Sequence, residues 1–311
     1  MQSFCDIQGD KMFITSFRLL PRETEETLIG IKMAENGGPY GYIDNTYPCG
    51  LFSSKELSEV SFDKVTIFYG GNGSGKSTLL NLIAERLGLE RTAPFNSSEM
   101  FDLYAQHCSV SMADDEEGNR CRIPEGSRIM TSDDIFDYML AVRANNDEIT
   151  DSKDEAKEDW AKLRYGESVK FRGMEDYEAL RAQILARRKS VSRRQFIRKT
   201  AGLEVKLNSN GETALNYFRT RLQDDTLYLL DEPENSMSPK MQLELVKMLE
   251  EMARYCGSQF IIATHSPFIM AMEGARVYDL DSYPAGIRNW WELENVKTYY
   301  EFFRKHNERF K

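Results

Sequence analysis

The chain is 311 residues long with a formal net charge of −10: long enough for one large packed domain or two small ones, and too acidic to coat DNA or an anionic membrane with its whole surface. Five cysteines (Cys5, Cys49, Cys108, Cys121, Cys256), scattered and without a C-x-x-C pair, suggest neither a disulfide framework nor a zinc knuckle and read as reduced thiols. Met1–Asp6 lacks a basic segment ahead of an apolar one, and no apolar run nears the roughly 18 residues that span a bilayer, so the expectation is a soluble, cytoplasmic chain without membrane contact.

In chain order, Met12–Leu20 has the composition of an opening strand and Leu28–Ile31 that of a second. Turn residues follow at Gly37-Gly38-Pro39, Asn45 and Pro48-Cys49-Gly50. Among them Tyr40, Tyr42, Tyr47 and Phe52 offer aromatic faces, for packing or for stacking on a base. The β-branched and aromatic run Val65–Tyr69 then meets Gly70-Gly71-Asn72-Gly73-Ser74-Gly75-Lys76-Ser77-Thr78, which fills every fixed position of G-x-x-x-x-G-K-[ST]. The stripe Leu79, Leu80, Ile83 and Leu87 continues as a helix that stops at Gly88. Strand, glycine loop and helix in this order make a phosphate-binding loop. Glycines clear Cβ atoms from the path of wrapping N–H groups, and the helix N-terminus adds positive partial charge. Lys76 is placed to reach the β/γ-phosphates and Ser77 to ligate Mg²⁺.

Ser109–Met112 reads as a short strand entering the acidic turn Asp114–Gly118, and Arg128–Met130 as another, followed by a helix with Ser132 as its N-cap. From Asn145 to Lys199 the chain is charged and helix-favouring, acidic at first. Between Arg181 and Lys199 it then carries eight basic residues and no acidic one. This stretch is expected to be a helical subdomain whose basic side is either solvated or faces phosphates or an acidic partner.

Thr226–Leu230 is a buried-type strand that delivers Asp231 and Glu232 at its carboxyl end, where open α/β sheets bind ligands. Asp231 fits a second Mg²⁺ contact through water, and Glu232 a group that accepts a proton from, or aligns, the attacking water. Ser238-Pro239 opens a helix that Gly257 stops. Phe260–Ala263 is the next buried strand, and His265 just after it is placed to sense a γ-phosphate. Val277–Leu280 adds a strand, and Tyr299, Tyr300 and Phe303 give the last helix an aromatic face expected to join the core. The fold class expected is α/β, a P-loop NTPase with a mainly parallel central sheet.

Taken together, the loop Gly70–Thr78, the strand ending Leu229-Leu230-Asp231-Glu232-Pro233 and the His265 loop resemble the ABC-type ATPase superfamily. Asn208-Ser209-Asn210-Gly211-Glu212 is similar to a degenerate L-S-G-G-Q signature, without its leucine and first glycine. Asp231-Glu232-Pro233-Glu234-Asn235 and Ala263-Thr264-His265-Ser266-Pro267 look like the non-transporter branch: SMC-like and RecF-like ATPases and the ATPase half of overcoming-lysogenization-defect nucleases. No glutamine loop is clear; Gln106 and the strand end Thr131–Asp134 are the candidate substitutes.

The resemblance implies one ATPase head spanning 1–311 with a helical lid inserted at 135–222. It also implies ATP and Mg²⁺ as ligands, with Lys76, Glu232 and His265 catalytic. Two copies would sandwich two ATP molecules, each held by one subunit's P-loop and by Ser209, Gly211 and Glu212 of the other. The output is expected to fall on DNA, through Arg181–Lys199, or on a separate effector, in repair or anti-phage defence. About thirty residues follow Asp281, too few for a nuclease domain. A transporter's nucleotide-binding subunit is the alternative, and a non-hydrolysing scaffold is disfavoured by Glu232.

Overall fold

The computed structural model describes residues 11–37, 42–95, 97–115, 117–145, 181, 183, 184 and 210–310. The chain divides into two compact units, one made of Met1–Ile135 with Ala214–Lys311 and the other of Phe136–Thr213. In the second, the helical run to 145 carries Arg143, whose Nη2 donates to Asn210 Oδ1 at 2.6 Å. Most of the basic run Arg181–Lys199 lies outside the described residues, as does Ser209.

The first unit is built on a six-stranded sheet in the order β5-β6-β7-β3-β8-β9. These strands are β3 (Val65–Tyr69), β5 (Arg128–Thr131), β6 (Leu227–Asp231), β7 (Gln259–Ala263), β8 (Arg276–Asp279) and β9 (Gly286–Ile287). All neighbours are parallel except β9, which runs antiparallel to β8. Every residue of β3 and β7 is buried, as the uninterrupted apolar runs of a sheet covered on both faces require. A smaller antiparallel sheet, β2-β1-β4, joins Glu59–Ser61, Ile14–Arg18 and Ser109–Met112. The helix Lys76–Leu87 fills the core with Leu79, Leu80, Leu82 and Ile83, all fully buried. The fold is therefore the expected α/β class. Because β3, β6 and β7 are parallel neighbours, their carboxyl ends converge on one edge.

One buried amide fastens the two sheets. Gln259 Oε1 accepts from the N–H groups of Phe13 (2.9 Å) and Ile14 (3.1 Å), and Nε2 donates to the carbonyls of Ile14 (2.9 Å) and Asp63 (3.2 Å). Its four bonds leave nothing unpaired, so Gln259→Leu orphans several buried backbone groups at once. The expected loss is about 3 kcal/mol in urea unfolding; a loss below about 1 kcal/mol, the scale of an ordinary surface change, contradicts the fastening role.

Three expectations are corrected. Leu28–Ile31 is not a strand but lies within the helix Arg22–Glu35. A four-residue apolar run does not fix a period, and the flanking charges decide: Glu23 and Glu25 sit in the first turn, and Arg22 pairs with Glu26 at 3.0 Å. Ser132 is not the N-cap, because Thr131 takes that place in a reciprocal pair with Asp134. Asp134 N–H donates to Thr131 Oγ1 at 3.4 Å, and Thr131 N–H to Asp134 Oδ2 at 2.7 Å. The last helix, Glu294–Lys305, buries none of its residues; Tyr300 and Phe302 are 65% and 57% exposed. Its stripe shows amphipathic spacing, which says nothing of whether another element covers it.

Candidate active site

The loop Gly70–Thr78 leaves the end of β3 and turns into the helix Lys76–Leu87. Glycine is required at two places. Gly75 has φ +103 and stands where a Cβ would meet Leu51 and Phe52 at 3.1 Å; at Gly70 a Cβ would lie 2.5 Å from Ser74 Oγ. The turn before the loop therefore supports it. Phe52 is buried against Gly75, while Tyr47 stacks on Phe101 and its hydroxyl bonds Thr78 Oγ1. Of the other two aromatics, Tyr42 is exposed and Tyr40 lies outside the described residues.

Lys76 is buried, and burial lowers its pKa against the pull of Glu232, Asp231, Asp281 and Glu234. Its ammonium donates to the carbonyls of Gly70 (2.8 Å) and Gly71 (3.2 Å) and lies 2.9 Å from His265 Nε2. His265 Nε2 is in turn 3.4 Å from Glu232 Oε1. Ser77 Oγ donates to Asp231 Oδ1 at 3.1 Å. Thus Lys76, Ser77, Asp231, Glu232 and His265, far apart in sequence, meet at the carboxyl edge of β3, β6 and β7.

Glu232 has φ 48, a left-handed conformation that costs a non-glycine residue roughly 1–2 kcal/mol. The fold holds it there: its N–H donates to Ala263 O (2.8 Å), and Asn235 Nδ2 donates to its Oε2 (3.1 Å). A strained backbone under an acid at the carboxyl edge of a parallel sheet is the pattern of a functional side chain aimed by its surroundings.

Two residues at the loop escaped sequence reasoning. Lys55 Nζ donates to Ser74 O (2.6 Å) and Leu280 O (2.7 Å), and Asp281 Oδ2 accepts from Gly71 N–H at 2.6 Å. Neither belongs to a motif. Of the glutamine-loop substitutes, Thr131 stands opposite Asp231 in the parallel register, whereas Gln106 is exposed on the helix Glu99–His107. Gly211 and Glu212 occupy the first turn of the helix Asn210–Arg221.

Hydroxyl and carboxylate oxygens from Ser77 and Asp231 suit Mg²⁺. Among the described residues no three His, Cys, Asp or Glu side chains gather to hold a metal, so an ion here needs phosphate and water oxygens as well. Burial pushes the Asp231 carboxyl up to about 6 from 3.8, with Glu232 adding to the rise and the Ser77 bond and Lys76 opposing it. The folded state thus holds this proton more tightly than the unfolded one, and the metal-free protein loses stability as pH rises between those two values. Asp231→Asn should flatten that slope and raise the melting temperature at pH 8 by roughly 4 °C, for ~2 kcal/mol. An unchanged melting curve against pH would contradict it.

The model of the family described as "ABC transporter" matches residues 58–235, more than half of the chain. The chain belongs to the ABC-type ATPase family. A second model, "AAA domain, putative AbiEii toxin, Type IV TA system", matches residues 207–271. Among solved structures, the SMC head domain from Thermotoga maritima is similar at 15% identity, covering 89% of this chain and 99% of that one with a TM-score of 0.38. A putative metal-chelate type ABC transporter in an inward-facing conformation is similar at 18% identity, covering 78% and 82% with a TM-score of 0.35. An ATP-binding cassette solved as a dimer in a post-hydrolysis state with ADP and Pi gives 15% identity, 72% and 86%, and 0.32. No curated protein sequence matches the chain. Among the described residues of this ABC-type ATPase, no helix is long and apolar enough to cross a membrane.

Proposed function

We propose that the protein is an ATP-hydrolysing switch that dimerises around ATP and acts on DNA or on a partner effector, in repair or anti-phage defence. The observation that carries the ATPase reading is the convergence of Lys76, Asp231, Glu232 and His265 on one sheet edge, with Lys76 2.9 Å and Glu232 3.4 Å from the same imidazole nitrogen. Lys76 exchanges the loop carbonyls it now holds for the β- and γ-phosphate oxygens of ATP. Ser77 and Asp231 would hold Mg²⁺, which when bound would neutralise phosphate charge. Glu232 takes the proton of the attacking water or aligns it, and His265 donates to the γ-phosphate.

The dimer part of the proposal rests on the family and on the signature-like Ser209, Gly211 and Glu212. N–H groups at a helix start form an anion site that another subunit's γ-phosphate satisfies. Hydrolysis then removes the bridging charge. The test is light scattering of Glu232→Gln with saturating MgATP, which should give the mass of two chains. Ser209→Arg, placing a bulky cation in the contact, should restore the mass of one. A single-chain mass for Glu232→Gln, or a dimer unaffected by Ser209→Arg, would overturn the sandwich. Contact with DNA, if that is the output, falls to Arg181–Lys199, the concentrated positive charge of an acidic chain.

A further inference from the structure

We infer that Glu234 is the positioning residue that sets His265 against Glu232 and Lys76. The inference deepens the ATPase reading above and rests on it. Backbone pairing between β6 and β7 ends at Asp231↔Ala263, followed by the bond from Glu232 N–H to Ala263 O. Past that point the carboxylate of Glu234 carries the connection. Its Oε1 accepts from Thr264 Oγ1 (2.6 Å), His265 N–H (2.7 Å) and Ser266 N–H (3.0 Å), while Oε2 is buried and has no hydrogen-bond partner among the described residues.

One oxygen therefore gathers three consecutive residues of the histidine loop, a charge-assisted arrangement that leaves the loop little freedom. The turn that supplies it also carries Glu232, and two of its residues, Glu232 and Ser236, are left-handed. The base and the anchor of the histidine thus ride on one turn and keep a fixed separation. A shift of about 1 Å in such a site is enough to cost on the order of 100-fold in rate. All three bonds end on Oε1, so an amide oxygen in its place can accept them.

The test compares three variants in steady-state ATP hydrolysis. Glu234→Ala should lower kcat by about 30-fold with KM for ATP within about threefold of wild type, because the phosphate contacts of Lys76 and the loop Gly70–Thr78 are left in place. Glu234→Gln, whose amide oxygen accepts the same three bonds, should stay within about threefold of wild-type kcat. In a His265→Ala background, Glu234→Ala should add less than about threefold, since the two act as a unit. Should the alanine variant not fold, Glu234→Asp, one methylene shorter, takes its place with the same expected loss. Wild-type kcat in Glu234→Ala or its substitute, a Gln variant as damaged as it, or a full second loss on top of His265→Ala would each overturn the proposal.

A readout without turnover keeps the two claims apart. The chain has three histidines, so the His265 ring signal is assignable by NMR from His265→Ala. It should move in Glu234→Ala and hold in Glu234→Gln; a signal unmoved in both overturns the positioning role. A wild-type protein that hydrolyses no ATP defeats the ATPase reading instead.

Discussion

Lys76→Ala is expected to abolish measurable ATP binding, a fall of more than about 100-fold, since charge-assisted hydrogen bonds are worth roughly 1.5–3 kcal/mol each and 1.4 kcal/mol is tenfold. The nucleotide-free geometry explains why the loss is this large. Lys76 is buried with its ammonium already desolvated, and burial lowers its pKa while four surrounding carboxylates hold the charge in place. The cost of stripping water from the cation has therefore been met by the fold, and triphosphate oxygens replace carbonyls as its acceptors. Without Lys76, Asp231 and Glu232 face the incoming phosphates uncompensated. Arginine is no substitute in this pocket, because its planar fork does not fit where a point charge donates to Gly70 O, Gly71 O and His265 together. Titration with a fluorescent ATP analogue decides the matter. Affinity within about twofold of wild type would sink the phosphate-loop assignment.

Glu232→Gln is expected to keep ATP binding and slow hydrolysis by about two orders of magnitude or more, the scale of losing a general base. The substitution changes no shape: Gln accepts from Asn235 Nδ2 through its amide oxygen as Glu does, and the backbone bond from the residue's N–H to Ala263 O is untouched. It also removes one negative charge beside the γ-phosphate position, so binding should hold or tighten. A loss of binding and turnover together would mean that Glu232 supports the fold of the site rather than its chemistry. Unchanged turnover would move the role to Thr131–Asp134, whose first residue stands opposite Asp231.

The parts of this site that were legible in the sequence are the local ones. Gly70–Thr78 is a contiguous motif whose glycines answer to backbone geometry. The runs that became β3, β6 and β7 are uninterrupted because both faces are covered. Asp231 and Glu232 were visible because an apolar strand ending in acids has few other uses. Long-range partners leave no such trace. Lys55 stands 225 residues from Leu280, Gln259 stands 245 from Ile14, and Glu234 stands 31 from His265. Each bonds mainly to backbone, which any residue supplies, so no residue type marks the partner. The aromatic stripe on Glu294–Lys305 failed for a related reason: period alone identifies a face and not its cover.

The central claim is that Glu232 and Lys76 serve one ATP at this edge. Its most direct measurement is phosphate release by wild type and Glu232→Gln at equal, saturating nucleotide occupancy. The account predicts release by wild type and a rate about 100-fold lower in the variant with the nucleotide still bound. Equal rates at equal occupancy, or no release by wild type above the protein-free control, would contradict it.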